Sequence, residues 1–319
     1  MRPEAVTIAE QATLHRWTLG ESAEVVTGLQ AHHARFSDLA VDPRGEVVAV
    51  TTPENVIELR RWDDLQVVAE VTCPTEEEQD GWQAIDLSPD GRWLAVADSC
   101  EQVHLIDRTT GEVIATGEAG ERTYCVRFDP SSRLLATACS FQGGASVRID
   151  RIEEGQLVPV TELERSHRRT PGKRFVDTLV HLAFSPDGRS LALFETSAID
   201  HDARPKGWRG DVVLYEARSW APRWMTSVDA KATGDKRSLA IAGRGMGFLT
   251  EVLFVDEETL VCGATGGLIL FYWVSDGKLL RRVQVHSEAP VVSLAIEPAH
   301  RRVWAALGVG GGTLVPVPL

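Results

Sequence analysis

Between residues 83 and 117 short apolar runs alternate with turn chemistry. The apolar runs are Ala84–Leu87, Trp93–Asp98, Val103–Asp107 and Val113–Thr116. Pro89-Asp90-Gly91, the polar patch Ser99–Gln102 and Thr109–Gly111 divide them. Short runs rich in Val, Ile and Ala, bounded by Gly, Pro, Asp and Thr, read as strands. Pro89 has no N–H to give a ladder, and Gly91 supplies the backbone angles of a tight hairpin. The pattern therefore predicts a four-stranded antiparallel meander of about forty residues. One such sheet cannot bury both of its faces and needs neighbours like itself.

The same pattern recurs along the chain. Residues 36–72 contain LAVDPRGEVVAV, VIELRRWDD and QVVAEV, and residues 123–161 contain YCVRFDPSSRLLATAC, SVRIDRIEEG and LVPVT. Residues 179–228 give VHLAFSPDGRSLALFE, DVVLYEARS and PRWMTS, and residues 249–286 give TEVLFVDEETLVCGA, LILFYWVSDG and LLRRVQV. Pro43, Pro89, Pro130, Pro186 and Pro298 mark the first hairpins at spacings of 46, 41, 56 and 112, the last covering two repeats with Asp256 at the intervening turn. Four strands repeated at a period near forty predict an all-β chain folded as a β-propeller. Residues 4–30 fit a second, third and fourth strand, and residues 290–319 a first, second and third. The expectation is seven blades with incomplete terminal blades, in a single domain over 1–319. The alternative is six blades with one split blade and loose terminal segments.

The chain resembles the WD-repeat family in a loose bacterial form. The resemblance rests on the SPDGR hairpins at 88–92 and 185–189 and on the third-strand endings Arg61-Trp62-Asp63 and Ile106-Asp107. It rests also on His-containing loops before first strands, at His32-His33 and His286. Most repeats lack the Trp-Asp pair, and few have the Gly-His dipeptide. The resemblance implies that these histidines hydrogen-bond within their blades and that Trp62-Asp63 is structural. Trp93, Trp224 and Trp304 alternate with aliphatic residues, a pattern of packing between blades.

Composition narrows the function. Hydrophobic residues make up 43% and charged residues 25%, which is a globular balance. A net charge of −13 disfavours binding of nucleic acid or anionic membrane unless the basic residues are segregated. Five cysteines, Cys73, Cys100, Cys125, Cys139 and Cys262, are widely spaced and form no CxxC pair, so neither a zinc cluster nor a disulfide framework is indicated. MRPEAVTIAE has no apolar signal core, and no run nears eighteen apolar residues, which leads to the expectation of a cytoplasmic protein. Lysine is scarce among the 33 basic residues and Asn55 is the sole asparagine, a composition that goes with a GC-rich bacterial genome.

The basic residues are segregated. Length beyond the forty-residue period falls in 162–177, 198–211 and 229–247, expected as loops that share one face. The first holds Arg165, His167, Arg168, Arg169, Lys173 and Arg174. The second holds Arg204, Lys206, Trp208 and Arg209, and the third Lys231, Lys236, Arg237 and Arg244. Glu76-Glu77-Glu78, within Thr75–Asp80, is expected on the same face farther round. Loops on a rigid scaffold carry function, and Arg beside an aromatic residue suits acidic or phosphorylated groups. Long polar loops that are simply solvated fit the pattern as well.

Catalytic motifs are missing: no P-loop, HExxH or GxSxG occurs, and no cofactor is implied. Gly243–Gly247 and Gly308–Gly312 do not join a strand to a helix and read as flexible turns. Asp38, Asp86 and Glu251 lie on or beside first strands, where a propeller enzyme builds a channel metal site, but alternation makes a solvated channel wall the better account. Asp90 and Asp187 are hairpin residues. The expected function is a non-enzymatic docking scaffold for a protein partner with an acidic or phosphorylated segment. Two alternatives stand beside it, a propeller enzyme with a channel metal of the hydrolase or lactonase type, and an RNA- or DNA-binding module using the Arg-rich loops.

Overall fold

A computed structural model describes residues 4–9, 13–19, 23–30, 38–42, 44–52, 56–72, 84–98, 101–120, 122–141, 144–166, 174–201, 204–228, 251–264, 267–287, 289, 291–307 and 313–319. These residues form strands and turns, with one 3-10 turn at Pro298–His300. Among them no helix is long and apolar enough to cross a membrane.

The strands fall into seven sheets, each joined in chain order. The first holds β1 (Glu4–Ala9), β2 (Thr13–Leu19) and β3 (Ala23–Gln30). The second holds β4 (Leu39–Val41), β5 (Val47–Thr51), β6 (Val56–Arg61) and β7 (Val67–Thr72). The third is the meander read first in the sequence: β8 (Ala84–Leu87), β9 (Trp93–Ala97), β10 (Gln102–Asp107) and β11 (Val113–Glu118). β12 (Arg122–Phe128), β13 (Leu134–Phe141), β14 (Gly144–Glu153) and β15 (Gln156–Ser166) follow. Next come β16 (Arg174–Phe184), β17 (Ser190–His201), β18 (Arg204–Glu216) and β19 (Pro222–Val228). β20 (Val252–Phe254), β21 (Thr259–Ala264), β22 (Leu268–Trp273) and β23 (Leu279–Gln284) form the sixth sheet. The last has three strands, β24 (Val291–Glu297), β25 (Arg302–Leu307) and β26 (Thr313–Pro318).

The first hairpins form because their side chains cap their own turns. Ser88 Oγ donates to Asp90 Oδ1 at 2.7 Å, Asp90 Oδ1 accepts the Arg92 N–H at 2.9 Å, and Gly91 takes φ +71°. Ser185, Asp187 and Gly188 repeat this, with Ser185 Oγ donating to Asp187 at 2.6 Å. Asp90 and Asp187 are therefore hairpin residues, as the sequence indicates. Asp256 fills the same role at the turn that lacks proline, accepting the N–H groups of Glu258 and Thr259.

Burial follows strand order. β9 is buried throughout, whereas β7 buries only Val71. The chain divides into two compact units. One is Met1–Leu19, Glu24–Ser140 and Ser146–Leu163, and the other is Gly20–Ala23, Phe141–Ala145 and Glu164–Leu319. In the first unit, Ile57, Leu59 and Val71 of the second sheet pack on Ile85, Leu94 and Val96 of the third. The far face of that third sheet puts Trp93, Ala95 and Leu105 against Val126, Phe128 and Leu135 of the fourth. In the second unit, Phe194, Val212 and Leu214 pack on Val252, Leu260 and Leu270. Val261, Ile269 and Phe271 in turn meet Val291, Leu294 and Val303 of the last sheet.

Six of these sheets are the blades of an all-β propeller, which fits the six-blade alternative and corrects the seven-blade expectation. Five blades have four strands, and the C-terminal three-stranded sheet packs on the fifth as a sixth. β1–β3 is a separate sheet whose side-chain packing lies outside the described residues. Periodicity places the repeats along the chain, but it does not say which sheet stacks on which.

Strand length brings a second correction. The extra residues of 198–211, expected as a loop, prolong β17 and β18, which stay paired as far as His201↔Arg204. β16 prolongs with them, pairing Arg174↔Asp200 and Phe175↔Ile199. The result is a three-stranded extension of the β16–β19 sheet. Among the described residues β19 does not follow it, since the last pair is Gly210↔Val228.

Candidate functional sites

The three first-strand acids each grip the next blade. Asp38 Oδ2 accepts the Ile85 N–H at 3.0 Å, while its Oδ1 accepts the Leu39 N–H at 2.9 Å. Asp86 Oδ2 accepts the Phe128 N–H at 2.8 Å. Glu251 Oε2 accepts the Leu294 N–H at 2.6 Å and the Ser293 hydroxyl at 2.8 Å. A carboxylate bonded to backbone N–H groups satisfies donors that an inner strand would otherwise leave open. The solvated channel wall expected of these acids thus gives way to a clamp between consecutive first strands. Burial pushes the Asp38 carboxyl up to about 6, opposed by the Arg127 guanidinium and its two N–H bonds. Burial raises Asp86 as well, and Arg127 opposes it there too. Two half-buried carboxylates thus share the field of one arginine, whose part the sequence reading missed. The signal available was a lone Arg at an inner-strand position in a repeat whose neighbours carry aliphatic or acidic residues.

A second set of contacts joins the blades at the turns. Arg108 Nη1 donates to Asp42 Oδ2 at 2.7 Å, and the Asp42 side chain is fully buried. Burial alone would raise Asp42, but the Arg44 N–H and the two guanidinium groups hold its carboxyl below the ordinary 3.8. The Asp90 N–H donates to Ser132 Oγ at 3.0 Å. In the second unit, Trp224 Nε1 donates to the Val274 carbonyl at 2.8 Å and Thr226 Oγ1 to the Gly277 carbonyl at 2.8 Å. Trp93 and Trp224 therefore pack between blades as expected. Trp304 is buried and donates within its own sheet, to Glu297 Oε2 at 2.7 Å.

Buried polar groups within blades form further networks. His104 bonds Asp98 Oδ2 at 3.0 Å and Thr116 Oγ1 at 3.1 Å, tying strands β9 to β11 of one sheet together. Ser227 Oγ donates to Asp211 Oδ1 at 2.6 Å in the β16–β19 sheet. His286 Nδ1 accepts the Ala289 N–H at 2.8 Å, which makes this histidine a turn constituent. His32 and His33 lie outside the described residues, as do both glycine-rich runs and Glu76–Glu78. Cys125, Cys139 and Cys262 are buried free thiols, and burial pushes Cys262 upward. Among the described residues no group of three or more His, Cys, Asp or Glu is placed to hold a metal ion.

The structure brings some of the predicted basic residues together by register. Arg174 starts β16, and Arg204, Lys206, Trp208 and Arg209 lie on β18 of the same extension. Arg174 pairs with Asp200, and Arg209 with Ser197, along the shared strand β17. Arg165 lies near the end of β15. Arg168, Arg169, Lys173, Lys231, Lys236, Arg237 and Arg244 lie outside the described residues.

Residues 39–131 match the family model described as the WD40 domain of anaphase-promoting complex subunit 4. The matched stretch covers two complete blades and strand β12. Together with the repeating antiparallel blades, this match supports a WD-repeat propeller family. No curated protein matches it.

Proposed function

We propose that residues 1–319 form one bacterial, cytoplasmic, non-enzymatic interaction module that docks a protein partner. Segments 162–177, 198–211 and 229–247 form the basic docking face, and the partner contributes an acidic or phosphorylated segment. One observation carries the reading: Arg174, Arg204, Lys206 and Arg209 share a single three-stranded extension in a protein of net charge −13. WD40 domains commonly bind proteins, and that supports the choice of partner class. The first-strand acids that would have served a channel metal are engaged with backbone N–H groups of neighbouring blades.

The test is an affinity pull-down from the native host. Wild type runs beside a variant with Arg168, Arg169, Lys173, Arg174, Arg209 and Arg237 changed to Ser. A partner retained by wild type and released by moderate salt, but not captured by the variant, supports the reading. A partner kept by both proteins overturns the basic face, and exclusive recovery of nucleic acid overturns the partner class.

A further inference from the structure

We infer that the open edge of β18 at 204–209 receives the acidic segment as an added β-strand. The inference rests on the docking function above and names how the segment binds. Among the described residues no strand pairs with 204–209 on the β19 side, because β19 ends opposite Gly210. Unpaired edges expose alternate N–H and C=O groups that template another strand.

The direction of those groups follows from the register. The Glu216 N–H donates to Ala221 across the β19 side, whereas the Ala217 N–H donates to Arg189 across the β17 side. The β17 pairing runs unbroken from Glu216 to Gly207, so alternation turns the Trp208 amide toward the open side. Lys206 is the extra residue of a bulge, since Gly207 pairs with Ile199 and Pro205 with Asp200. Pro205, which has no N–H, lies near the tip beyond that bulge.

The outer edge of the last sheet, three-stranded among the described residues, is closed to the same use. The Leu319 N–H donates to Arg301, so Leu314, Pro316 and Pro318 face outward along β26. Two of these are prolines without N–H groups, and the Pro318 carbonyl already accepts from Arg281 Nη2. β26 is thus a blunted edge, while the edge at 204–209 keeps the Trp208 amide.

Charge selects the occupant. Arg204, Lys206 and Arg209 lie on this edge strand. A second copy pairing edge to edge would place these cations opposite their like, which destabilises a ladder. An extended protein segment rich in Asp or Glu has the complementary sign. Backbone bonding supplies affinity in this mode, and charge sets the choice of segment.

The probe is a nine-residue peptide of alternating Glu and Val, compared with its fully N-methylated twin of equal charge. Binding to the full chain is read by fluorescence anisotropy, and exchange of the Trp208 amide by NMR. The expected result is that the parent binds and slows exchange at Trp208, while the twin binds at least about tenfold more weakly for want of its edge donors. The Arg204→Ser/Lys206→Ser/Arg209→Ser variant should lose the parent peptide. Equal, salt-sensitive binding of parent and twin overturns strand addition but leaves charge-driven docking intact. No binding of either peptide at low salt overturns both, and tighter binding of a single-stranded RNA oligomer overturns the acidic-segment reading.

Discussion

Asp38→Asn should make the protein less sensitive to rising pH across the acidic range, and the size of the effect follows from the clamp. The Asp38 carboxyl is raised from 3.8 to about 6, with burial the largest cause. A raised carboxyl favours the neutral form in the folded state. Its stabilising contribution is therefore complete below pH 3.8 and lost as pH rises through about 6. At about 1.4 kcal/mol per pH unit between the two values, the loss approaches about 3 kcal/mol. Asparagine keeps an acceptor for the Ile85 N–H but has no proton to lose, so the variant escapes this penalty. The groups facing Asp38 are the Arg127 guanidinium, the Asp86 carboxyl and the N–H groups of Leu39 and Ile85. All of them remain in the variant. Urea unfolding of both proteins at a series of pH values gives the difference in stability directly, whatever constant offset the amide introduces. The variant should gain on wild type by roughly 2–3 kcal/mol between about pH 4 and pH 8, most of it below pH 6.5. Exchange of the Ile85 amide gives a local check. A difference that stays flat within about 0.5 kcal/mol over that range would refute the argument, because Asp38 would then titrate like a solvated carboxyl.

Arg108→Ala leaves the buried Asp42 carboxylate with the Arg44 N–H and the weaker 3.4 Å approach of the Arg44 guanidinium. Denaturant unfolding near neutral pH should show a loss of about 2–4 kcal/mol. Because Asp42 titrates below its ordinary value, its contribution is present above pH 3.8 and falls away in acid, so the deficit should shrink there. Gly277→Ala forces a Cβ within 2.6 Å of the Trp224 ring at a residue with φ +69°, and should cost at least about 1–2 kcal/mol by the same assay. Trp224→Leu removes both the ring packing and the bond to Val274, and about 2–4 kcal/mol should be lost, read from the thermal midpoint. Glu251→Ala should cost about 1–3 kcal/mol by leaving the Leu294 N–H without its acceptor, whereas Glu251→Gln should recover most of it.

The sequence by itself determined the local architecture. Ala84–Leu87 is a strand because apolar residues end at Ser88-Pro89-Asp90-Gly91, whose side chains and φ +71° close the hairpin without outside help. Asp256 could replace the proline turn because the same N–H capping is available to any Asp at that position. Trp93 and Trp224 were legible as core because alternation puts them on a buried face. What the sequence could not determine is which side chains meet across strands remote in the chain. Asp38 and Ile85 are brought together only by the stacking of sheets, and periodicity within either repeat is silent about it. The same holds for Arg108 on Asp42 and for Arg127 beside two carboxylates. Strand continuation at 198–211 was hidden because Gly207, Gly210 and Pro205 are turn formers locally, yet a ladder with β17 satisfies the backbone there. The blade count, too, depends on apolar faces finding one another, as Val291 and Val303 find Val261. Local turn chemistry is written in neighbouring residues. Partnership between blades is a free energy of burial, and it exists only once the sheets are stacked.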